Sequence, residues 1–100
     1  MTEIYYIEDD ENIATAVKEY LCRKGYEVSI FGMLESGKKA IECHIPNIVL
    51  IDWNMPDGGG DSFCRWIRSN WKELPIIFLT VRNDTRDIIS GFEDGADDYV

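Results

Sequence analysis

Positive charge is scarce in this chain: Lys and Arg number 10 against 19 Asp and Glu, for a formal net charge of -9. So much negative charge repels phosphate backbones and anionic lipid, so the sequence predicts no direct nucleic-acid contact by this domain and no membrane contact. Cysteine is sparse too. Cys22, Cys43 and Cys64 are odd in number and widely spaced, which fits neither a disulfide framework nor a C-x-x-C metal clamp. They are expected to be reduced residues that pack. The single histidine, His44, has no second ligand residue spaced with it, which argues against a histidine metal centre. No apolar run reaches the roughly 18 residues that a spanning helix requires. The N-terminus, MTEIYYIEDDENI, lacks the positive and apolar regions of a signal peptide, so a cytoplasmic chain is expected. Repeats, linkers and low-complexity tracts are absent as well.

What is present is apolar material in a regular order. With 45% hydrophobic and 12% aromatic residues among 100, the chain can bury one core and is expected to form one domain. The short runs EIYYI (3 to 7), YEVSI (26 to 30), NIVLI (47 to 51), PIIFL (75 to 79) and a final DYV read as strands, separated by helix-length amphipathic segments. Ile13, Val17, Tyr20 and Leu21 share one face of a first helix, with Asp10 as N-cap and Gly25 as its stop. A second helix, over 34 to 43, carries Leu34, Ala40 and Ile41 but also Gly37 in its interior. Phe63, Trp66 and Ile67 mark a third over 61 to 70, and Ile88, Ile89 and Phe92 a fourth over about 83 to 92. Strands joined by helical crossovers pair in parallel, and the continuous apolar character of the central runs implies cover on both faces. The fold class is α/β.

Right-handed crossovers bring the C-terminal ends of parallel strands to one edge, where ligands bind at the point of reversed strand order. Asp52 ends the third run, Glu8, Asp9 and Asp10 follow the first, and Thr80 ends the fourth. Clustered carboxylates repel unless a cation or a proton offsets them. Mg2+ suits a site offering a few carboxylates and room for water and phosphate oxygens. Asp10 and Glu11 also suit a helix start on capping and dipole grounds alone. Beside a metal, Asp52 is a candidate carboxylate nucleophile toward phosphorus. A flavin phosphate would instead meet the acidic EDDEN segment, which argues against that ligand.

These motifs, in this order, resemble the receiver domain of two-component response regulators from end to end. YIEDDENI resembles the acidic pocket, with Glu8 and Asp9 at metal positions. LIDWNMPDGGGDSF resembles the phosphoacceptor loop, with Asp52 as acceptor and metal ligand, Asn54 offering its backbone carbonyl to Mg2+, and Met55, Pro56 and Gly60 shaping the turn. PIIFLTVR places Thr80 at the switch hydroxyl, and GFEDGADDYV places Tyr99 at the switch aromatic. The resemblance implies a flavodoxin-like (CheY-like) doubly wound parallel sheet of strand order 2-1-3-4-5. It also implies a sensor histidine kinase as phosphodonor, and self-phosphotransfer and autodephosphorylation in place of ordinary enzyme turnover. PDGGG and GADDY are most similar to the subfamily whose parent proteins carry a winged-helix DNA-binding domain and regulate transcription.

The pattern departs from the family at the C-terminus, because the family lysine that follows the switch aromatic, and the last helix, have no counterpart before Val100. Residues 1–100 are therefore expected to be a receiver domain truncated before both, lacking the last helix. A homodimer or other self-association over the face that helix would cover is expected. An alternative is a receiver-like interaction module that works without phosphorylation. A metal-dependent phosphohydrolase would need a general acid and a substrate pocket, and no residues are identified for either.

Overall fold

The first apolar run decides both faces of the sheet. Successive side chains of an extended strand point to opposite sides. In the computed structural model, Ile4 and Tyr6 of β1 (Glu3–Ile7) enter one hydrophobic cluster, and Tyr5 and Ile7 enter the other. The structure describes residues 1–52, 54–79 and 98–99, with Asn54, Asp98 and Tyr99 described by backbone alone. The helix expected over 83 to 92 lies outside these residues.

The elements are β1, α1 (Glu11–Arg23), β2 (Glu27–Phe31), α2 (Leu34–Cys43), β3 (Ile48–Asp52), β4 (Asn54–Met55), β5 (Gly58–Gly59), α3 (Gly60–Asn70), β6 (Ile76–Leu79) and β7 (Asp98–Tyr99). β2, β1, β3, β6 and β7 form one parallel sheet in that spatial order. This is the anticipated 2-1-3-4-5 order, with β6 and β7 in the fourth and fifth places. β4 and β5 add a small antiparallel hairpin that the sequence reading took as a plain turn. Pro56 and Asp57 form its bend.

α1 starts where Asp10 caps it, its Oδ1 accepting from the amides of Asn12 at 2.9 Å and Ile13 at 3.1 Å. Past its end, Gly25 has φ +96°, a left-handed conformation that glycine adopts without steric cost. The face α1 buries matches the expected one in part. Ala14 is buried and Val17 and Leu21 partly so, against Ile4, Tyr6, Val28 and Leu50, whereas Ile13 and Tyr20 are exposed. Ala14, 2% exposed, has the small side chain that lets the helix backbone come close to the sheet.

On the opposite face, α2 and α3 cover Ile7, Val49, Ile51, Ile76 and Phe78 with Leu34, Ile41, Phe63, Cys64 and Ile67. Each large aliphatic side chain so buried contributes about 1.5–3 kcal/mol. Trp66 is partly buried against this cluster and meets Trp71 edge-on at 5.2 Å between ring centroids, so Trp71 packs the loop before Pro75. The cysteines do not all pack: Cys64 is buried, but Cys22 and Cys43 are exposed because they fall on the outer sides of α1 and α2. Among the described residues no helix is long and apolar enough to cross a membrane.

Gly37 lies inside α2 in spite of its poor helix propensity, and the packing explains it. A Cβ there would stand 2.7 Å from Ile7 Cδ1 and 3.2 Å from its Cγ1, within the fully buried core. Gly37→Val should therefore overpack this contact and lower unfolding stability by about 2 kcal/mol. Urea denaturation checks it, and an unchanged midpoint would contradict the close approach.

Candidate functional site

The reversal of strand order falls between β1 and β3, whose C-terminal ends lie side by side, with Ile7 opposite Ile51. An open α/β sheet has its crevice at such a place. Glu8 and Asp9 continue from β1, and Asp52 is the last residue of β3, in register with Leu79 of β6. One carboxylate oxygen from each of Glu8, Asp9 and Asp52 lies within 4.8 Å of the others. Glu8 is 6% exposed, Asp52 is partly buried and Asp9 is exposed, so the cluster opens to solvent on the Asp9 side.

Glu8 is held from several directions. Its amide donates to the Phe31 carbonyl at the end of β2, at 2.9 Å. Its Oε1 accepts from the Tyr6 hydroxyl at 3.2 Å, and its Oε2 from the Asp10 amide at 3.3 Å. Burial pushes the Glu8 carboxyl up to about 7. The charge of Asp52 and a hydrogen bond between the two carboxyls push the same way, against the donors Asp10 N–H and Tyr6 O–H. The Tyr6 phenol is raised in turn, by burial first and then by the Glu8 charge. A buried carboxyl that resists ionisation beside two other acids is a donor set a hard divalent cation fits, since it offers oxygens only and leaves positions for water.

The loop after Asp52 is tied to the far helix. Asp57 Oδ1 accepts from Leu34 N–H at 2.9 Å and Oδ2 from Glu35 N–H at 3.1 Å. The N-cap residue of α2, Met33, supplies no side-chain cap, so an acid from the β4–β5 bend takes that role. Burial is the largest single influence on Asp57 and would raise it, but these two amides, its own amide and Lys38 together outweigh it, so its carboxyl sits below the usual range.

Of the site residues expected from sequence, Glu8, Asp9 and Asp52 come together. Asn54 follows in β4, with only its backbone described, and Tyr99 lies in β7, beside Phe78 in register, likewise by backbone. Thr80 and Val100 lie outside the described residues. Asp10 caps α1, in keeping with its place at a helix start. His44 serves structure: its Nε2 is 2.8 Å from Glu3 Oε1 at the opposite edge of the sheet. Tyr6 and Asp57 were not singled out by sequence. Tyr6 is hidden in an apolar run, and its only signal is the two-residue spacing to Glu8 that puts both on one strand face.

A group whose folded value is raised stabilises the fold below its unfolded value and loses that contribution as pH rises through the folded one. For Glu8 the window runs from about 4.5 to about 7. Metal-free protein should therefore show a falling thermal midpoint across this window, facing Asp9, Asp10 and Asp52, and Glu8→Gln should flatten the fall. A wild-type profile that rises through the window would contradict the burial of this acid.

The comparisons with known proteins converge on one family. The family model for the response regulator receiver domain matches residues 4–100. The transcriptional regulatory protein AfsQ1 of Streptomyces coelicolor is 41% identical over 100% of this chain and 44% of its own length. RprY of Bacteroides fragilis, also a transcriptional regulatory protein, is 38% identical over 97% of the chain and 41% of its own length. The chain thus spans less than half the length of these relatives. Among solved structures, a putative response regulator from Chloroflexus aurantiacus superposes with a TM-score of 0.95 at 31% identity, covering 99% of this chain and 83% of that one. The BeF3-activated N-terminal receiver domain of Klebsiella pneumoniae RstA gives 0.93 at 29% identity, over 99% and 84%. With the acidic cluster at the switch point of a 2-1-3-4-5 parallel sheet, this chain belongs to the response regulator receiver domain family.

Proposed function

We propose that this chain is the phosphoacceptor domain of a two-component response regulator, phosphorylated on Asp52 by a sensor histidine kinase. The observation that carries the reading is the position of Asp52: it ends a buried parallel strand, with the carboxylates of Glu8 and Asp9 within 4.8 Å. An Asp52 oxygen attacks phosphorus, a new O–P bond forms as the P–N bond to the donor histidine breaks, and the imidazole leaves with the electron pair. Water later hydrolyses the acyl phosphate and restores the carboxylate. Glu8, Asp9, Asp52 and the Asn54 carbonyl would hold Mg2+, which supplies charge neutralisation at the phosphoryl oxygens. The chain's own part is to fix the attacking oxygen at the crevice and to keep Glu8 aligned behind it.

In this reading Thr80 is the switch hydroxyl and Tyr99 the switch aromatic, biased by the charge change at Asp52. The parent protein acts in the cytoplasm as a DNA-binding regulator of transcription, a reading supported by the names of AfsQ1 and RprY. Incubation with Mg2+ and a small phosphodonor should add the mass of one phosphoryl group, and Asp52→Asn should lose that gain completely. Equal labelling of both proteins, or labelling of neither, defeats the assignment.

Self-association belongs to the same reading. Ala16, Val17, Tyr20 and Leu21 of α1 face Leu50, Ile77 and Leu79 across an apolar groove of about 460 Å³, and a parallel sheet needs cover on both faces. A second copy of the chain is the proposed occupant. Light scattering of the protein should give more than one chain per particle, and a monomer at high concentration removes this part.

A further inference from the structure

We infer that Tyr6 is a positioning residue for the metal site, its hydroxyl fixing the Glu8 carboxylate in the orientation that binds a divalent cation. The inference rests on the metal reading of Glu8, Asp9 and Asp52 given above, and adds a residue to it.

Tyr6 is fully buried, at 0% exposure, with its ring among Ile4, Ala14, Val28 and Leu50. Valine or isoleucine would satisfy that cluster by shape and strand propensity, without bringing in a hydroxyl that needs a partner. The partner is two residues on. Alternation along an extended strand sends Tyr6 and Glu8 to the same side, and the length of the phenol carries its oxygen to the strand end, 3.2 Å from Glu8 Oε1. The Asp10 amide takes Oε2, so each carboxylate oxygen has a donor and the group is constrained at both ends. The same carboxyl meets that of Asp52 and lies within ligand distance of Asp9, so it is held facing the cluster. A metal-ligating carboxylate is commonly oriented by such outer donors, and their removal costs roughly 10–100-fold in metal affinity.

Tyr5 provides an internal control. It is the neighbouring tyrosine of the same strand, directed to the opposite face, where its ring meets Phe31 edge-on at 5.1 Å. Removing its hydroxyl perturbs a strand tyrosine without touching Glu8.

The test is calorimetric titration of Mg2+ into the protein, Tyr6→Phe and Tyr5→Phe, run well above the Glu8 value of about 7 so that protonation of Glu8 does not enter. Thermal unfolding without metal is measured alongside. Phenylalanine keeps the buried ring, so each variant should fold. Tyr6→Phe should raise the Mg2+ Kd about tenfold, and Tyr5→Phe should leave it unchanged. A hydroxyl that served only its own hydrogen bond would shift the metal-free melting and leave the Kd alone. An unchanged Kd for Tyr6→Phe, or an equal loss for Tyr5→Phe, overturns the inference. Absence of Mg2+ binding by the parent protein would instead overturn the metal reading, and this inference with it.

Discussion

Like charges gathered at one sheet edge set the terms for the rest of this structure. Glu8, Asp9 and Asp52 offer ligand oxygens within 4.8 Å of one another, and Glu8 is withdrawn from solvent. Such an arrangement opposes folding unless something holds it. The restraints are visible in the structure: the Phe31 carbonyl takes the Glu8 amide, Tyr6 and Asp10 donate to its carboxylate, and the core on either side of β1 and β3 leaves the strand ends nowhere else to go.

The same strands that build the core thus aim the site. β1 lies between β2 and β3, and α1 packs on one face while α2 and α3 occupy the other, so among the described residues no helix packs across the strand ends beside β1 and β3. The β4–β5 hairpin then leads from β3 into α3. Glycines there serve distinct ends, since Gly58 and Gly59 form the returning strand and Gly60 begins the helix.

Much of this was legible in the amino-acid order. Short apolar runs between amphipathic segments located the five parallel strands to within a residue or so, and the acids at strand ends located the cluster, because run length and a handedness rule are both expressed in sequence spacing. What was missed depended on tertiary geometry. Of the expected α1 face, Val17 and Leu21 do pack, but Ile13 and Tyr20 are exposed and Ala14 takes the buried position, a rotation of the stripe that only the docking of the helix reveals. Gly37 looked like a flaw in α2 until Ile7 was seen against it. Cys22 and Cys43 were assigned to the interior on residue type alone, which says nothing of the helix face they occupy. Tyr6 read as one more apolar strand residue, because its hydroxyl acquires meaning only from Glu8 beyond the strand end.

Asp57 joins two segments that are far apart in sequence. Its carboxylate supplies both capping contacts at the start of α2, across 23 and 22 residues, and α2 has no cap of its own. Asp57 is itself exposed, so water replaces its oxygens when the bend detaches, and the net worth of the two contacts is about 1 kcal/mol each. Their consequence is alignment more than strength: the bend that follows the strand carrying Asp52 is tethered to the first turn of α2.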